Sequence, residues 1–289
     1  MIIVMFHSGK SFPVFLEDNF KQLRLFNPDI PIYFLTDREW LGQDVFFKYN
    51  IVPIDKSNYA SDDIRTFEVL FGRGENDFWT ITTTRFMYIA NFLQERNFHD
   101  VYHFENDVLL YIDLAKFNSL FCKLYLNLAI TIGGPDKAMT GLMFIKNPQA
   151  LCHMTSFFIN LLKNNKCSQI RKIYETNMVN EMTLMRIYSK EYPDKMIPFP
   201  ILPFGEWSKN YEVFNSIFDP ASWGQFVGGT TDGISGAKPE DHYIGQLLRE
   251  HPEYNVIWKL GIPYFKYDEK EVKINNLHIH SKNLNKYLS

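Results

Sequence analysis

The stretch Val101–Asp113 reads Val-Tyr-His-Phe-Glu-Asn-Asp-Val-Leu-Leu-Tyr-Ile-Asp. One apolar run enters it and another leaves it, and between them Glu105 and Asp107 are separated by a single residue. In extended backbone, alternation sends both carboxylates to one side and Asn106 to the other. Two carboxylates that close repel each other unless a cation lies between them. Such a stretch is either the polar turn of a hairpin or half of a site for a hard divalent cation. Mg²⁺ and Mn²⁺ take carboxylate oxygens and share them with substrate phosphates.

The rest of the sequence narrows the choice. With 289 residues, 46% hydrophobic and 16% aromatic, the chain is long and apolar enough to bury a sizeable core. A formal net charge of −3 gives no general case for binding nucleic acid, and no nucleic-acid partner is expected. Cys122, Cys152 and Cys167 are odd in number and lack CxxC spacing, which argues against a disulfide framework and against a zinc site. Met1–Phe6 is too short for a signal peptide or anchor, and no other stretch approaches a membrane span. The expectation is a soluble cytoplasmic protein with no transmembrane segment, with peripheral membrane contact left open.

Along the chain, strands and helices alternate. Ile2–Phe6 reads as a buried strand closed by His7-Ser8-Gly9. Phe15, Phe20, Leu23, Leu25 and Phe26 form an imperfect helical face that Asn27-Pro28-Asp29 ends. Pro31–Leu35 and Phe46–Ile54 read as further strands, which opens an α/β sheet. Ser57–Asp77 is polar and reads as partly loop. Thr80–Asn97 carries Phe86, Ile89, Ala90 and Leu93 on one helical stripe. After the acidic stretch come strands Leu126–Ile132 and Thr140–Ile145, a helix opened by Asn147-Pro148, and a helix Asn177–Tyr188 carrying Glu181. Ser222–Gly236 is dense in glycine, which suits a sharp bend or a close approach to a ligand. Pro239–Glu250 reads as a helix. Among the late strands, Val272–His280 places Asn276, His278 and His280 on one face.

Five pieces in this order resemble the GT-A glycosyltransferases. They are the first strand and helix followed by Ile30-Pro31-Ile32-Tyr33-Phe34-Leu35-Thr36-Asp37; Arg85; His103-Phe104-Glu105-Asn106-Asp107-Val108-Leu109, similar to that family's DxD motif with Glu in first place; Thr140-Gly141-Leu142-Met143-Phe144-Ile145; and Leu277-His278-Ile279-His280-Ser281-Lys282. The family 8 type is the most similar. The resemblance implies an α/β fold, the Rossmann-like nucleotide-diphospho-sugar transferase with a mixed sheet flanked by helices. It implies one domain over residues 1–289, with a nucleotide-sugar-binding half at about 1–113 and an acceptor-binding half at about 114–289 that ends in a metal and diphosphate motif.

The resemblance also implies an activity: transfer of a hexose from a nucleoside-diphosphate sugar, a UDP-sugar favoured, to a hydroxyl of a glycan, a lipid-linked saccharide or a protein. Retention of configuration is favoured and the cofactor is Mn²⁺ (or Mg²⁺). Such transfer expels a diphosphate, whose growing charge needs fixed cations. On this reading Asp107 ligates the metal, Glu105 ligates it or holds the ribose, and His280, ahead of His278, supplies a nitrogen ligand. Lys282 pairs with the diphosphate. Arg85 holds a donor phosphate or a sugar hydroxyl. His7, Ser8 and Asp37 bind the donor at the carboxyl edge of the sheet, and Asp136 touches the sugar. Glu181 and Asp241 are the candidate catalytic carboxylates. The rival readings are a nucleotidyltransferase that makes the nucleotide sugar, and a binding protein without turnover.

Overall fold

A computed structural model of the protein describes residues 1–72, 77–230 and 242–289. Ile2–Phe6 (β1) is buried at every position, and its alternation divides the core. Ile2, Val4 and Phe6 pack with Phe86, Ile89 and Leu93 of helix Asp77–Arg96 on one face. Ile3 and Met5 pack with Leu16, Phe20 and Leu23 of helix Leu16–Phe26 on the other. A strand covered on both faces belongs inside an α/β sheet.

Ile32–Thr36 (β2) lies parallel to β1, with Ile51–Asp55 (β3) parallel beyond it, and Val101–Phe104 (β4) lies parallel on the other side of β1. Val108–Leu110 (β5) turns out of this sheet. Leu128–Ile132 (β6), Ala138–Ile145 (β7) and Met196–Pro198 (β8) complete it, in the order β3-β2-β1-β4-β7-β6-β8. β7 is antiparallel to both β4 and β6, so the sheet is mixed. Helices Asp77–Arg96, Pro148–Asn164 and Glu181–Glu191 cover one face, and Leu16–Phe26 with Leu114–Leu124 covers the other.

The later chain builds a second layer. Ser216–Ile217 (β9), Asn255–Lys259 (β10), Ile262–Tyr267 (β11) and Lys270–Ile274 (β12) form a four-stranded sheet, and Asn276–His278 (β13) pairs antiparallel with β5. Among the described residues β5 has no second strand neighbour. Its outer edge is met instead by side-chain amides of the first helix. Asn19 Nδ2 donates to the carbonyls of Asn106 (2.9 Å) and Val108 (2.8 Å), and Gln22 Nε2 donates to Leu110 O (3.1 Å). Asn27 continues the series, donating to Ile112 O (3.1 Å) and accepting from Leu114 N (2.9 Å). Buried backbone carbonyls need such partners. Asn19 and Gln22 on the inner side of the helix, and Asn27 at its C-terminal cap, are therefore structural.

Several elements differ from the sequence expectations. Phe46–Ile54 is not one strand. Asp44–Lys48 is a helical turn that buries Phe46, and Asn50, at φ 51°, breaks it before β3. Within Ser57–Asp77, helix Asp62–Phe71 buries Ile64 and Phe67 at i and i+3. Residues 73–76 lie outside the described residues. Helix Leu114–Leu124 has no counterpart in the sequence reading, although Asp113 caps it by accepting from Ala115 N (3.1 Å) and Lys116 N (3.3 Å). In the glycine-dense segment Trp223–Gly228 is helical, and residues 231–236 lie outside the described residues. Among the described residues no helix is long and apolar enough to cross a membrane.

Asn19→Ala would take the amide donor from the buried Val108 carbonyl and the part-buried Asn106 carbonyl. The expected loss of unfolding free energy is about 2 kcal/mol, read by urea denaturation. A loss below about 0.5 kcal/mol, the level of an ordinary surface change, would mean that water or a relaxed turn replaces the amide.

Candidate active site

The parallel strands β1, β2 and β4 end at one edge of the sheet, and the segments that follow them carry His7 and Ser8, Asp37, and Glu105 to Asp107. This is the edge at which open α/β sheets bind ligands. The acidic pair is fixed from several sides. Glu105 N–H donates to Gly141 O (3.2 Å) and Asn106 Nδ2 donates to Phe6 O (3.1 Å). The β6–β7 register shifts beside Ile130 and Thr131, a bulge that lets Thr140 meet Glu105 while Leu142 stays in register with Phe104.

β13 supplies the third group. Its register sets His278 opposite Val108, so the imidazole reaches back over the turn. His278 Nε2 lies 3.1 Å from Asp107 Oδ1 and 3.3 Å from Glu105 Oε2. One ligand-type atom from each of Glu105, Asp107 and His278 falls within 4.8 Å of the others. His278, not the expected His280, therefore joins the carboxylates. His280 lies past the end of β13, its ring centroid 4.2 Å from that of His278, and the Gln225 amide contacts its Nδ1 at 2.8 Å. Alternation puts both histidines on one face, and only the β5–β13 register distinguishes them.

Basic groups surround the cluster. Lys282 pairs with Asp107 Oδ2. Arg85 donates to Glu105 Oε1 (2.5 Å) and Thr140 Oγ1 (2.6 Å), and its guanidinium carbon stands 4.7 Å from the Phe86 ring centroid. Arg85 thus holds Glu105 in place. Burial opposes ionisation of Glu105, but Arg85 and His278 outweigh it and bring its pKa down to about 2. Burial likewise opposes the Asp107 charge, and His278 with Lys282 holds its pKa well below the usual carboxylate range. Burial works to lower the His278 pKa, but the two carboxylates carry it above its ordinary value. His280 is pushed down to about 3 by burial and by its neighbour His278.

A cavity of about 350 Å³ opens over these groups and is also lined by Glu181, Trp79 and Met182. Asn180 caps helix Glu181–Glu191, accepting from Thr183 N (3.0 Å), and so leaves Glu181 as the first helical residue. Its Oε2 accepts from Thr82 Oγ1 (2.9 Å). Burial pushes the Glu181 pKa up to about 7, and Glu105 adds to the shift while Arg85 opposes it.

The other expected donor residues fall in two places. Asp37, Ser8 and His7 gather beyond β1 and β2. Lys56, which the sequence reading passed over, lies 3.0 Å from Asp37 Oδ1, donates to Ser8 Oγ (2.6 Å), and sits over the Tyr88 ring at 5.4 Å. Gly9 N–H donates to Asp37 (3.2 Å), and His7 Nε2 contacts Ser11 O (3.0 Å). Asp136 is elsewhere. It accepts from Thr176 Oγ1 (3.1 Å) and lines a second cavity of about 550 Å³, which shares Trp79 and Met182 with the first. Asp241 lies outside the described residues.

The fold is similar to those of known structures. Apo mouse xyloside xylosyltransferase 1 matches at a TM-score of 0.52 and 8% identity, over 68% of this chain and 83% of that one. The galactosyltransferase LgtC in complex with donor and acceptor sugar analogues matches at a TM-score of 0.42 and 14% identity, over 68% and 73%. A cytidylyltransferase from Leptospira borgpetersenii serovar Hardjo-bovis matches at 0.40 and 11%, over 87% and 94%. No family model and no curated protein matches the chain. The fold is of the GT-A class, a mixed sheet flanked by helices.

The Glu181 shift has a consequence for stability. Between the ordinary value of 4.5 and about 7, the folded protein keeps a proton that the unfolded chain releases, so stability falls as pH rises across that window. The contribution is about 3 kcal/mol. Glu181→Gln should remove it. In chelator, the unfolding free energy of the variant minus that of the wild type should grow between pH 4.5 and 7 and then level off. A constant difference would mean that Glu181 titrates normally.

Proposed function

We propose that this chain is a metal-dependent glycosyltransferase that moves a hexose from a nucleoside-diphosphate sugar, a UDP-sugar by preference, to a hydroxyl of a glycan, a lipid-linked saccharide or a protein. One observation carries the reading: Glu105, Asp107 and His278 converge beside Lys282 at the carboxyl edge of a GT-A sheet. Two carboxylates and one imidazole are a mixed oxygen and nitrogen donor set that suits Mn²⁺. The fit is also electrostatic, since the site brings two carboxylates together and holds both ionised. Glu105, Asp107 and His278 would hold the ion, which when bound would neutralise charge developing on the departing diphosphate.

The protein's own groups do the rest. Lys282, with its side chain 44% exposed, can turn from Asp107 to a donor phosphate as a point charge. Arg85 keeps Glu105 ionised and aimed at the site rather than meeting the donor itself. Glu181, with a pKa near 7, can hold a proton at a sugar hydroxyl or receive one. Ser8, Asp37 and Lys56 form the edge against which the nucleoside rests. The 550 Å³ cavity, which shares Trp79 and Met182 with the first, would receive the acceptor, and Asp136, expected at the donor sugar, lines it. Retention of configuration follows from the resemblance to the family 8 type.

A thermal-shift screen of UDP, GDP, CMP and their sugars, with and without Mn²⁺, tests the reading. The expected result is stabilisation by UDP or a UDP-sugar only with Mn²⁺, worth about 2.7 kcal/mol at a hundredfold excess over Kd. Asp107→Ala should abolish it, and should lower donor turnover at least about a hundredfold. Full turnover in chelator would overturn the metal assignment. Formation of a nucleotide sugar from a nucleoside triphosphate and a sugar phosphate would replace the transferase reading with a nucleotidyltransferase.

A further inference from the structure

Asp219 is fully buried, and nothing in the proposed reaction uses it. Its carboxylate is surrounded by backbone. Oδ1 accepts from the N–H groups of Ser222 (2.7 Å) and Trp223 (2.8 Å). Oδ2 accepts from those of Gly224 (2.9 Å) and His278 (2.9 Å). Three of these donors belong to one turn, and the fourth is the backbone of the imidazole that joins Glu105 and Asp107.

The surroundings show what the carboxylate replaces. Among the described residues β13 has a single strand neighbour, β5. The segment from Ser216 to Gly224 runs along its other edge. Asn275 N–H donates to Ile217 O (2.9 Å), Asn275 Nδ2 donates to Ser216 Oγ (2.8 Å), and Asp219 N–H donates to Asn276 Oδ1 (3.1 Å). At His278 no carbonyl arrives, and Asp219 takes the N–H. Gly224 then closes against the same residue: a Cβ there would stand 2.1 Å from His278 O. His278 is gripped between a carboxylate and a glycine on one edge and β5 on the other. Gly141 bounds its ring, since a Cβ there would meet His278 Nδ1 at 2.9 Å.

A buried carboxylate is costly unless every lone pair is met by a donor. Asparagine could not serve, because its NH₂ would face N–H groups where Oδ2 now accepts. We propose that Asp219 is a positioning residue for the metal-ligating group: it fixes the His278 backbone so that Nε2 stays in register with Asp107 and Glu105. This rests on the reading of Glu105, Asp107 and His278 as that group. Outer partners of metal ligands commonly set affinity by 10–100-fold.

The test uses the full chain and Mn²⁺ alone, with free Mn²⁺ followed by electron paramagnetic resonance. Asp219→Asn should raise the Mn²⁺ dissociation constant at least about tenfold. In a His278→Ala background the same change should alter it less than about twofold, because the imidazole that Asp219 positions is gone. A purely structural role would weaken binding equally in both backgrounds, and that result would overturn the proposal. So would unchanged affinity in Asp219→Asn. If Asp219→Asn does not fold, amide hydrogen exchange of the wild type decides. Mn²⁺ should slow exchange at Ser222, Trp223 and Gly224, which the metal does not touch, and unchanged exchange there would overturn the proposal. A wild type that binds no Mn²⁺ would instead overturn the metal reading itself.

Discussion

The pairing of β13 with β5 governs the site. It brings His278 over Glu105 and Asp107, and Ile279 N–H extends the contact to Asp107 O at 2.9 Å. The chain then turns, Lys282 N–H donating to Ile279 O (3.0 Å) with Lys282 at φ 62°, and the ammonium returns to the carboxylate the strand has just passed. A left-handed backbone at a lysine is uncommon and locally strained. Here it reverses the chain within one turn. Each edge of this two-stranded ribbon is completed by side chains instead of strands: amides from the first helix along β5, and the Asp219 carboxylate along β13.

Within the first cavity, environment separates two acids that the sequence presents alike. Glu105 has Arg85 and His278 against it and stays ionised with a pKa near 2. Glu181 is the more deeply buried of the two, has no cation paired with it among the described residues and is raised to about 7. Carboxylates pushed apart in this way can divide labour between holding charge and holding a proton. Arg85 lies between the two acids and spends its direct contact on Glu105.

The sheet was legible in the sequence because β1, β2, β4, β6 and β7 are short apolar runs closed by turn residues. Burial on both faces leaves little else such runs can form. Phe46 misled because an aromatic next to a strand-like run reads as more strand, whereas a single helical turn places it equally well in the core. Helix Asp62–Phe71 buries only Ile64 and Phe67, too sparse a stripe to stand out from a polar stretch. At the site, the acidic pair was visible from its spacing. The choice of His278 over His280 was not, because alternation is the same for both and register is a property of two strands 170 residues apart in sequence (Val108 with His278). Lys56 and Asp219 gave no local signal. Their meaning comes from what the fold sets beside them.

The distance along the chain between the acidic turn and its partners bears on how the molecule is made. Lys282 and Asp107 are 175 residues apart, and His278 is nearly as remote. On a ribosome, β1 to β4 can assemble long before residues 276–282 exist. Closing so long a loop slows folding more than it costs stability. Throughout that interval Arg85 is already present to pair with Glu105, whereas Asp107 has neither His278 nor Lys282 beside it. The acidic turn is therefore the part of the molecule whose charge partners come last from the ribosome: β1 to β4 are complete in sequence before the imidazole and ammonium that flank Asp107 are made.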